Sequence, residues 1–415
     1  MRDFDHGQAM QEAKANRRRF LESGLGSAAT ATVLGAANPA SAAQESATRR
    51  PRESVLPTRT LGRTGVEVTI LNLGTFRSVG LDRILRFAWA HGIRYVDTAA
   101  SYGSEPAIAR WLKAEPDLRK QVFLVTKDHP ASIRSLLNSI DRRLESLQTD
   151  FVDLYFLHAL GDHDLKTEIE WPRSKEFKET AEALRKSGKA RFVGFSCHHP
   201  RQAEILQNAA QAGYADVIMV RNNPWLAQEA PMNRALDACF KRGIGLVSMK
   251  QVAGHINLEE VARRLPELKE KGLSPYQGLL QAIWTDERFA SVCVSMRNTD
   301  QVRENAEAAR TFRPMTKGEI ERLRDACIAA RPTLCADCDG RCSRAAGTDA
   351  DLWNLTRLLT YHEHHGDRSE ARRLYAQLPP ASRDWSGADL AAAQAACPNK
   401  LDFATLLPRA TRILT

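Results

Sequence analysis

Between residues 69 and 311 the chain alternates short apolar runs with amphipathic helical patterns eight times, and this alternation constrains the fold most strongly. The apolar runs fall at 69–74, 95–97, 122–127, 151–158, 190–196, 216–220, 245–250 and 291–295. Helical patterns follow them at 81–91, up to 113, and at 132–147, 176–187, 201–211, 232–242, 258–284 and 301–311. The run Phe151-Val152-Asp153-Leu154-Tyr155-Phe156-Leu157 is nearly continuous, as in a parallel strand covered on both faces. Segment 132–147 places Ile133, Leu136, Leu137, Ile140, Leu144 and Leu147 at helical spacing. Parallel strands need long crossovers, so eight strand–helix units in series predict an α/β fold, a (β/α)8 TIM barrel. Ahead of it, Gly62 and Gly65 punctuate two short apolar runs, which predicts a hairpin leading into the first barrel strand.

In such a barrel, chemistry gathers at the carboxyl ends of the strands. That rule singles out Asp97, which ends the second strand, and Tyr102, five residues later on its loop. It also singles out Lys127 at the end of the third strand and His158 at the end of the fourth. These four side chains suit proton delivery to a carbonyl that is receiving hydride. A phenol titrates near ~10, and a nearby ammonium favours phenolate and lowers that value. Asp97 would hold Lys127 charged and oriented. Tyr102 would be the acid, and His158 would polarise the carbonyl or relay the proton. Side chains cannot supply hydride, so a cofactor must.

The stretch Asp97-Thr98-Ala99-Ala100-Ser101-Tyr102-Gly103-Ser104-Glu105 resembles the signature of the aldo-keto reductases. Asp97, Tyr102, Lys127 and His158 match that family's tetrad residue by residue, and the resemblance runs over residues 56–313. It implies a barrel whose bottom is covered by the N-terminal hairpin. It also implies an NAD(P) cofactor, with NADP expected, and a small carbonyl or alcohol substrate. Ser196 stands where the family has a serine contacting the carboxamide. The segment containing Met296, Arg297, Gln301 and Asn305 resembles the one that holds the adenosine phosphate. The chain departs from the family at Cys197, where asparagine is usual, and at Met219, where glutamine is common. Ser295 and Gln301 align with the lysine and arginine that often grip the 2′-phosphate, leaving Arg297 as the substitute. These departures motivate a second reading: a catalytically silent barrel that binds a nucleotide or partner and carries a structural metal site.

Outside the barrel, Asn16-Arg17-Arg18-Arg19-Phe20-Leu21-Glu22 resembles a twin-arginine export signal. A mildly apolar segment follows at 24–37, and Pro39-Ala40-Ser41-Ala42-Ala43 supplies small residues for cleavage. This predicts a signal peptide over 1–43, a linker over 44–55, passage through the twin-arginine translocase, and a periplasmic or otherwise exported protein. The apolar segment is too short for a stable membrane span.

Residues 314–415 are predicted to form a helical appendage, with helices at 317–331, 352–364 and 369–378 and no strand. Cys335, Cys338 and Cys342 follow C-x2-C-x3-C, and Cys397 precedes Pro398. Such a set serves an iron–sulfur cluster, a zinc ion or two disulfides. The tail resembles the ferredoxin-like extension of some aldo-keto reductases, which implies one 4Fe-4S cluster, a candidate electron relay to a redox partner, with zinc as the alternative. Cys197, Cys239, Cys293 and Cys327 are isolated and read as buried small hydrophobes. The formal net charge is +9, but basic residues are scattered among acidic ones, as in Asp141-Arg142-Arg143-Leu144-Glu145. That pattern is a solvated surface and argues against a nucleic-acid partner.

Overall fold

The computed structural model describes residues 55–76, 78–199, 201–224, 231–251, 258–330, 333, 335, 340–364 and 368–415. The export-signal residues 1–43, linker residues 44–54 and Cys338 lie outside the described residues.

Two short strands, β1 (Thr58–Thr60) and β2 (Glu67–Thr69), form the predicted antiparallel hairpin. Eight parallel strands follow: β3 (Leu71–Gly74), β4 (Tyr95–Asp97), β5 (Phe123–Asp128), β6 (Val152–Leu157), β7 (Ala190–Cys197), β8 (Val217–Arg221), β9 (Gly245–Met249) and β10 (Phe289–Ser295). They close in sequence order, with β10 returning to pair with β3. Closure leaves the barrel without a free sheet edge. The hairpin tip meets the amino-terminal end of β9. Gly62 is at φ +52°, and a Cβ there would lie 2.5 Å from the Gly243 carbonyl, so only glycine permits this approach.

The strands divide their side chains between two cores. Tyr95, Phe123, Val125, Leu154, Phe156 and Val247 belong to one apolar cluster of strand residues. Tyr155, Val193, Phe195 and Ile218 join the surrounding helices in a larger cluster. Parallel register then sets the rim: Gly74 pairs with Asp97, Asp97 with Val125, and Lys127 with Phe156.

The predicted helical stretch 258–284 is three helices, Leu258–Arg264, Pro266–Glu270 and Pro275–Trp284. Pro266 and Pro275 each open a helix, because proline is tolerated in the first turn but breaks an interior. Helix Lys317–Ala329, expected with the appendage, packs on the barrel's outer layer instead. Its Leu323, Ala326 and Cys327 pack in one cluster with Val261, Leu265 and Leu279.

Beyond it, helices Arg341–Ala345, Leu352–His364, Arg368–Gln377, Leu390–Ala396 and Phe403–Leu414 surround a separate apolar core containing Leu355, Leu359, Leu374, Phe403 and Leu407. No strand follows β10 among the described residues. The helix at 403–414 escaped the sequence reading because Pro408 interrupts its pattern. No helix among the described residues is long and apolar enough to cross a membrane.

Candidate active site

The barrel brings Asp97, Lys127 and His158 to one rim, with Tyr102 above them on its loop. Lys127 Nζ donates to Asp97 Oδ1 at 2.5 Å and to the Thr98 carbonyl at 2.8 Å. Lys127 is 1% exposed and Asp97 2%. Buried charges persist only when paired, so each fixes the other. Burial opposes the Lys127 charge, but Asp97, with Tyr102 and Cys293, outweighs it and holds the ammonium above its ordinary value. Burial pushes the Asp97 carboxyl up, against the pull of Lys127.

The rest of the signature stretch braces this pair. Thr98 Oγ1 lies 2.5 Å from Ser104 Oγ, which lies 2.8 Å from Thr75 Oγ1. Glu105 accepts from Thr126 Oγ1 at 2.7 Å and pairs with Arg143 at 3.3 Å. These side chains thereby tie the segment after β4 to the end of β3 and to β5.

Tyr102 ends a single 3-10 turn, Ala100–Tyr102, which Gly103 terminates at φ 67°. Its hydroxyl lies 3.4 Å from His158 Nε2. Lys127 Nζ lies 5.2 Å from the Tyr102 ring centroid. The ammonium therefore faces the phenol, as the sequence predicts, but it does not control its titration. Burial dominates and pushes Tyr102 up to about 12, with Lys127 acting in the opposite direction. His158 is driven well below its ordinary value, chiefly by burial and then by Lys127, His129, Lys250 and His163. At neutral pH the site thus presents a neutral phenol and a neutral imidazole above an ion pair. His129 stacks on His158 with ring centroids 4.3 Å apart, and His163 Nε2 lies 3.1 Å from His129 Nδ1.

A cavity of about 640 Å³ opens above these residues and includes all four on its wall. That volume suits a small-molecule site. Of the expected cofactor residues, Ser196 and Arg297 line the cavity. Ser196 Oγ also accepts from the Ala159 amide at 2.9 Å, fixing the loop after β6. Met296, Gln301 and Asn305 are absent from the wall. Met296 is wholly buried in the barrel core, because it is the apolar anchor after β10. The Gln301 side chain accepts from the Arg297 amide at 2.8 Å, bracing the turn that carries Arg297. Asn305 is buried, 3% exposed, on helix Thr299–Arg310.

At the departures, Met219 lines the cavity, whereas the Cys197 thiol turns away to the Leu160 carbonyl at 3.2 Å. Cys293, read as a buried hydrophobe, is half-buried on the cavity wall.

The sequence reading missed further wall residues, including Phe76, His129, His163, His198, Lys250, Gln251 and Arg373. His129 and His198 each lie just past a strand end and could have been found by that rule. Lys250 occupies a left-handed conformation at φ 50° just after β9. Arg373 comes from the appendage, and no local pattern pointed to it.

Among the expected metal ligands, Cys342 and Cys397 are buried in the appendage core, with Cys335 packed against it. Segments 55 residues apart therefore converge, since Cys342 and Cys397 share one cluster. Cys338 lies outside the described residues. Among the described residues, no group of three or more His, Cys, Asp or Glu side chains is arranged to hold a metal ion.

Comparison with known proteins fits this geometry. The model of the aldo/keto reductase family matches residues 80–328. Aldo-keto reductase family 1 member A1 of Pongo abelii is 29% identical over 208 residues, 45% of this chain and 62% of that protein. Glyoxal reductase of Bacillus subtilis is 27% identical over 222 residues, 51% of this chain and 73% of that protein. The chain spans about 60% of the length of the primate relatives it matches. A crystal structure of a protein proposed to be a 2,5-diketo-D-gluconic acid reductase B is similar at 26% identity and a TM-score of 0.52. That similarity covers 66% of this chain and 92% of the other.

Proposed function

The chain belongs to the aldo/keto reductase family, and from that premise we propose that it reduces the carbonyl of a small molecule with hydride from NADPH. The observation that carries this reading is the buried Lys127–Asp97 pair directly beneath the Tyr102–His158 pair.

The residues present fit such a cofactor. The cavity wall holds the Ser196 hydroxyl for the carboxamide, and Lys250 and Arg297 as cations for phosphate. When bound, a reduced nicotinamide supplies hydride to the carbonyl carbon. Tyr102 holds the proton that the carbonyl oxygen then needs. His158 stays neutral, so it can share a hydrogen bond with that oxygen without adding charge. Lys127, kept charged by Asp97, lowers the cost of the phenolate left behind. Recharging Tyr102 requires a proton from solvent.

The pH dependence follows from these states. Tyr102 keeps its proton to about 12, and His158 is neutral down to well below its ordinary value. Reduction should show a flat kcat/KM from about pH 6 to about pH 10. A tyrosine limb near neutrality in initial-rate profiles would show that Lys127, not burial, sets the phenol.

The reading is tested by NADPH and NADH titration followed by tryptophan fluorescence, and by cofactor oxidation with a panel of aldehydes. NADPH should bind more tightly than NADH. Arg297→Ala should erase most of that preference, about tenfold for one charge-assisted contact. Equal affinity for both cofactors would remove Arg297 from this role.

We further propose that Cys335, Cys338, Cys342 and Cys397 hold one 4Fe-4S cluster. The support is their spacing and the convergence of Cys335, Cys342 and Cys397 on one core. No step of the reaction above is routed through it. Anaerobically purified protein should contain about four irons and about four sulfides per chain, lost in Cys397→Ser. Stoichiometric zinc would identify the alternative centre. Export by the twin-arginine route is proposed on residues 16–43 alone; Arg17→Lys with Arg18→Lys should retain the protein in the cytoplasmic fraction.

A further inference from the structure

The reaction above uses His158 and leaves two neighbouring histidines of the cavity wall without a part. His129 and His163 line the same cavity as Tyr102 and His158. Both are exposed. His129 directly follows β5, and His163 belongs to the loop after β6.

Backbone hydrogen bonds hold these two loops in register. The His158 amide donates to the Asp128 carbonyl at 2.9 Å, which ties the residue before His129 to the start of the β6 loop. Within that loop the Asp162 amide donates to the Ala159 carbonyl at 3.1 Å, and the Gly161 amide donates to Glu168 Oε2 at 2.6 Å. On the other side of His163, Asp164 Oδ2 accepts from Thr167 Oγ1 at 2.6 Å. His163 is therefore flanked by residues already fixed in hydrogen-bonded turns.

The two rings meet through nitrogen. His163 Nε2 lies 3.1 Å from His129 Nδ1, and the ring centroids are 4.9 Å apart at an interplanar angle of 89°. A straight hydrogen bond between the same nitrogens would spread the centroids to about 5.4 Å. Metal–nitrogen bonds of about 2.0–2.1 Å, opened to about 100° at the metal, put the nitrogens about 3.1 Å and the centroids about 4.9 Å apart. Both separations thus match two imidazoles on one ion. Imidazole suits zinc, copper and nickel, whereas calcium and magnesium take oxygen ligands. Among the described residues, no group of three or more His, Cys, Asp or Glu side chains could hold an ion. The two histidines are then the protein's whole contribution, and water completes the shell.

We propose that His129 and His163 bind a divalent ion of the zinc class, and that this ion obstructs the cavity mouth. His129 stacks on His158 with centroids 4.3 Å apart, so the ion stands one ring away from the Tyr102–His158 pair. Two protein ligands hold an ion less firmly than the three or four of catalytic and structural zinc sites, so occupancy follows free metal. The bound ion raises KM for the carbonyl substrate. That consequence rests on the carbonyl-reductase reading; the binding does not.

Zinc chloride is titrated by calorimetry into full-length, untagged protein, purified anaerobically with its appendage centre in place, and into His129→Gln and His163→Gln. The appendage cysteines are the same in all three proteins, so zinc taken up there cancels in the comparison. Zinc should bind the unaltered protein at least about tenfold more tightly than either variant, since even an outer-shell partner of a metal contributes about 10–100-fold. Equal binding by all three proteins would overturn the site, and so would a loss in one variant only. KM for benzaldehyde is then measured with and without zinc at saturating NADPH, each protein serving as its own reference. Zinc should raise KM in the unaltered protein, reversibly with EDTA, and leave it unchanged in both variants. Histidine-dependent binding with an unchanged KM would overturn the obstruction. If the zinc-free protein turns over no aldehyde, the reductase reading fails separately, and the calorimetry still decides whether the histidine pair binds metal.

Discussion

Tyr102→Phe is expected to lower kcat for carbonyl reduction by about 10²- to 10⁴-fold, the usual contribution of a positioned acid. The substitution removes one oxygen and leaves the ring. That ring packs against Phe76 with centroids 5.0 Å apart, and edge-on to His158 at 5.5 Å. The phenylalanine ring can keep both contacts, so circular dichroism and the thermal midpoint should change little. Cofactor affinity should also persist, because Ser196 and Arg297 are untouched. The loss should therefore fall on kcat rather than on NADPH binding. A Tyr102→Phe protein with more than a tenth of the original rate would remove the phenol from the chemistry.

Lys127→Met should have the second large effect, on both activity and stability. It leaves Asp97 2% exposed with its cation gone. Breaking a buried pair from one side costs about 3–5 kcal/mol, because the remaining charge is stranded. The pH dependence has a definite sign. Burial already raises the Asp97 carboxyl, and removing Lys127 takes away the main opposing pull. In the variant, the folded protein then holds the Asp97 proton more tightly than the unfolded chain does. Stability is therefore greatest below the unfolded carboxyl value near ~3.9 and declines as pH rises through the folded value. Denaturant melts at several pH values should show this slope. Lys127→Met with Asp97→Leu removes both charges and should recover much of the stability without recovering turnover. If the single variant matched the unaltered protein at neutral pH, the pair would not be holding the rim together.

The barrel was legible because each strand is nearly continuously apolar and each crossover carries its own helical period. Asp97 ends β4, Lys127 is the last but one residue of β5 and His158 directly follows β6, so all three were legible for the same reason: a strand's carboxyl end is fixed once the strand is. Tyr102 needed the signature stretch, and the structure explains that stretch through the Thr98–Ser104 and Glu105–Thr126 hydrogen bonds. What the sequence left hidden depends on packing between distant segments. The proton affinity of Tyr102 is set by how deeply the loop buries it, a quantity with no local pattern. Met296 sits in a phosphate-like segment yet turns into the core, because an apolar side chain follows burial rather than motif. Arg373 lies 215 residues from His158 in sequence and meets the same cavity only because the appendage docks on the loop after β6.

The central claim is that Asp97, Tyr102, Lys127 and His158 serve hydride reduction of a carbonyl. Label transfer tests it most directly. Full-length protein is mixed with NADPH deuterated at the transferable position and with 4-carboxybenzaldehyde, and the product is analysed by mass spectrometry. The account predicts an alcohol carrying deuterium at its carbinol carbon, formed mole for mole with oxidised cofactor and formed at least about a hundredfold more slowly with Tyr102→Phe. NADPH that binds but gives no labelled alcohol would contradict it and would favour a barrel that holds a nucleotide without catalysis.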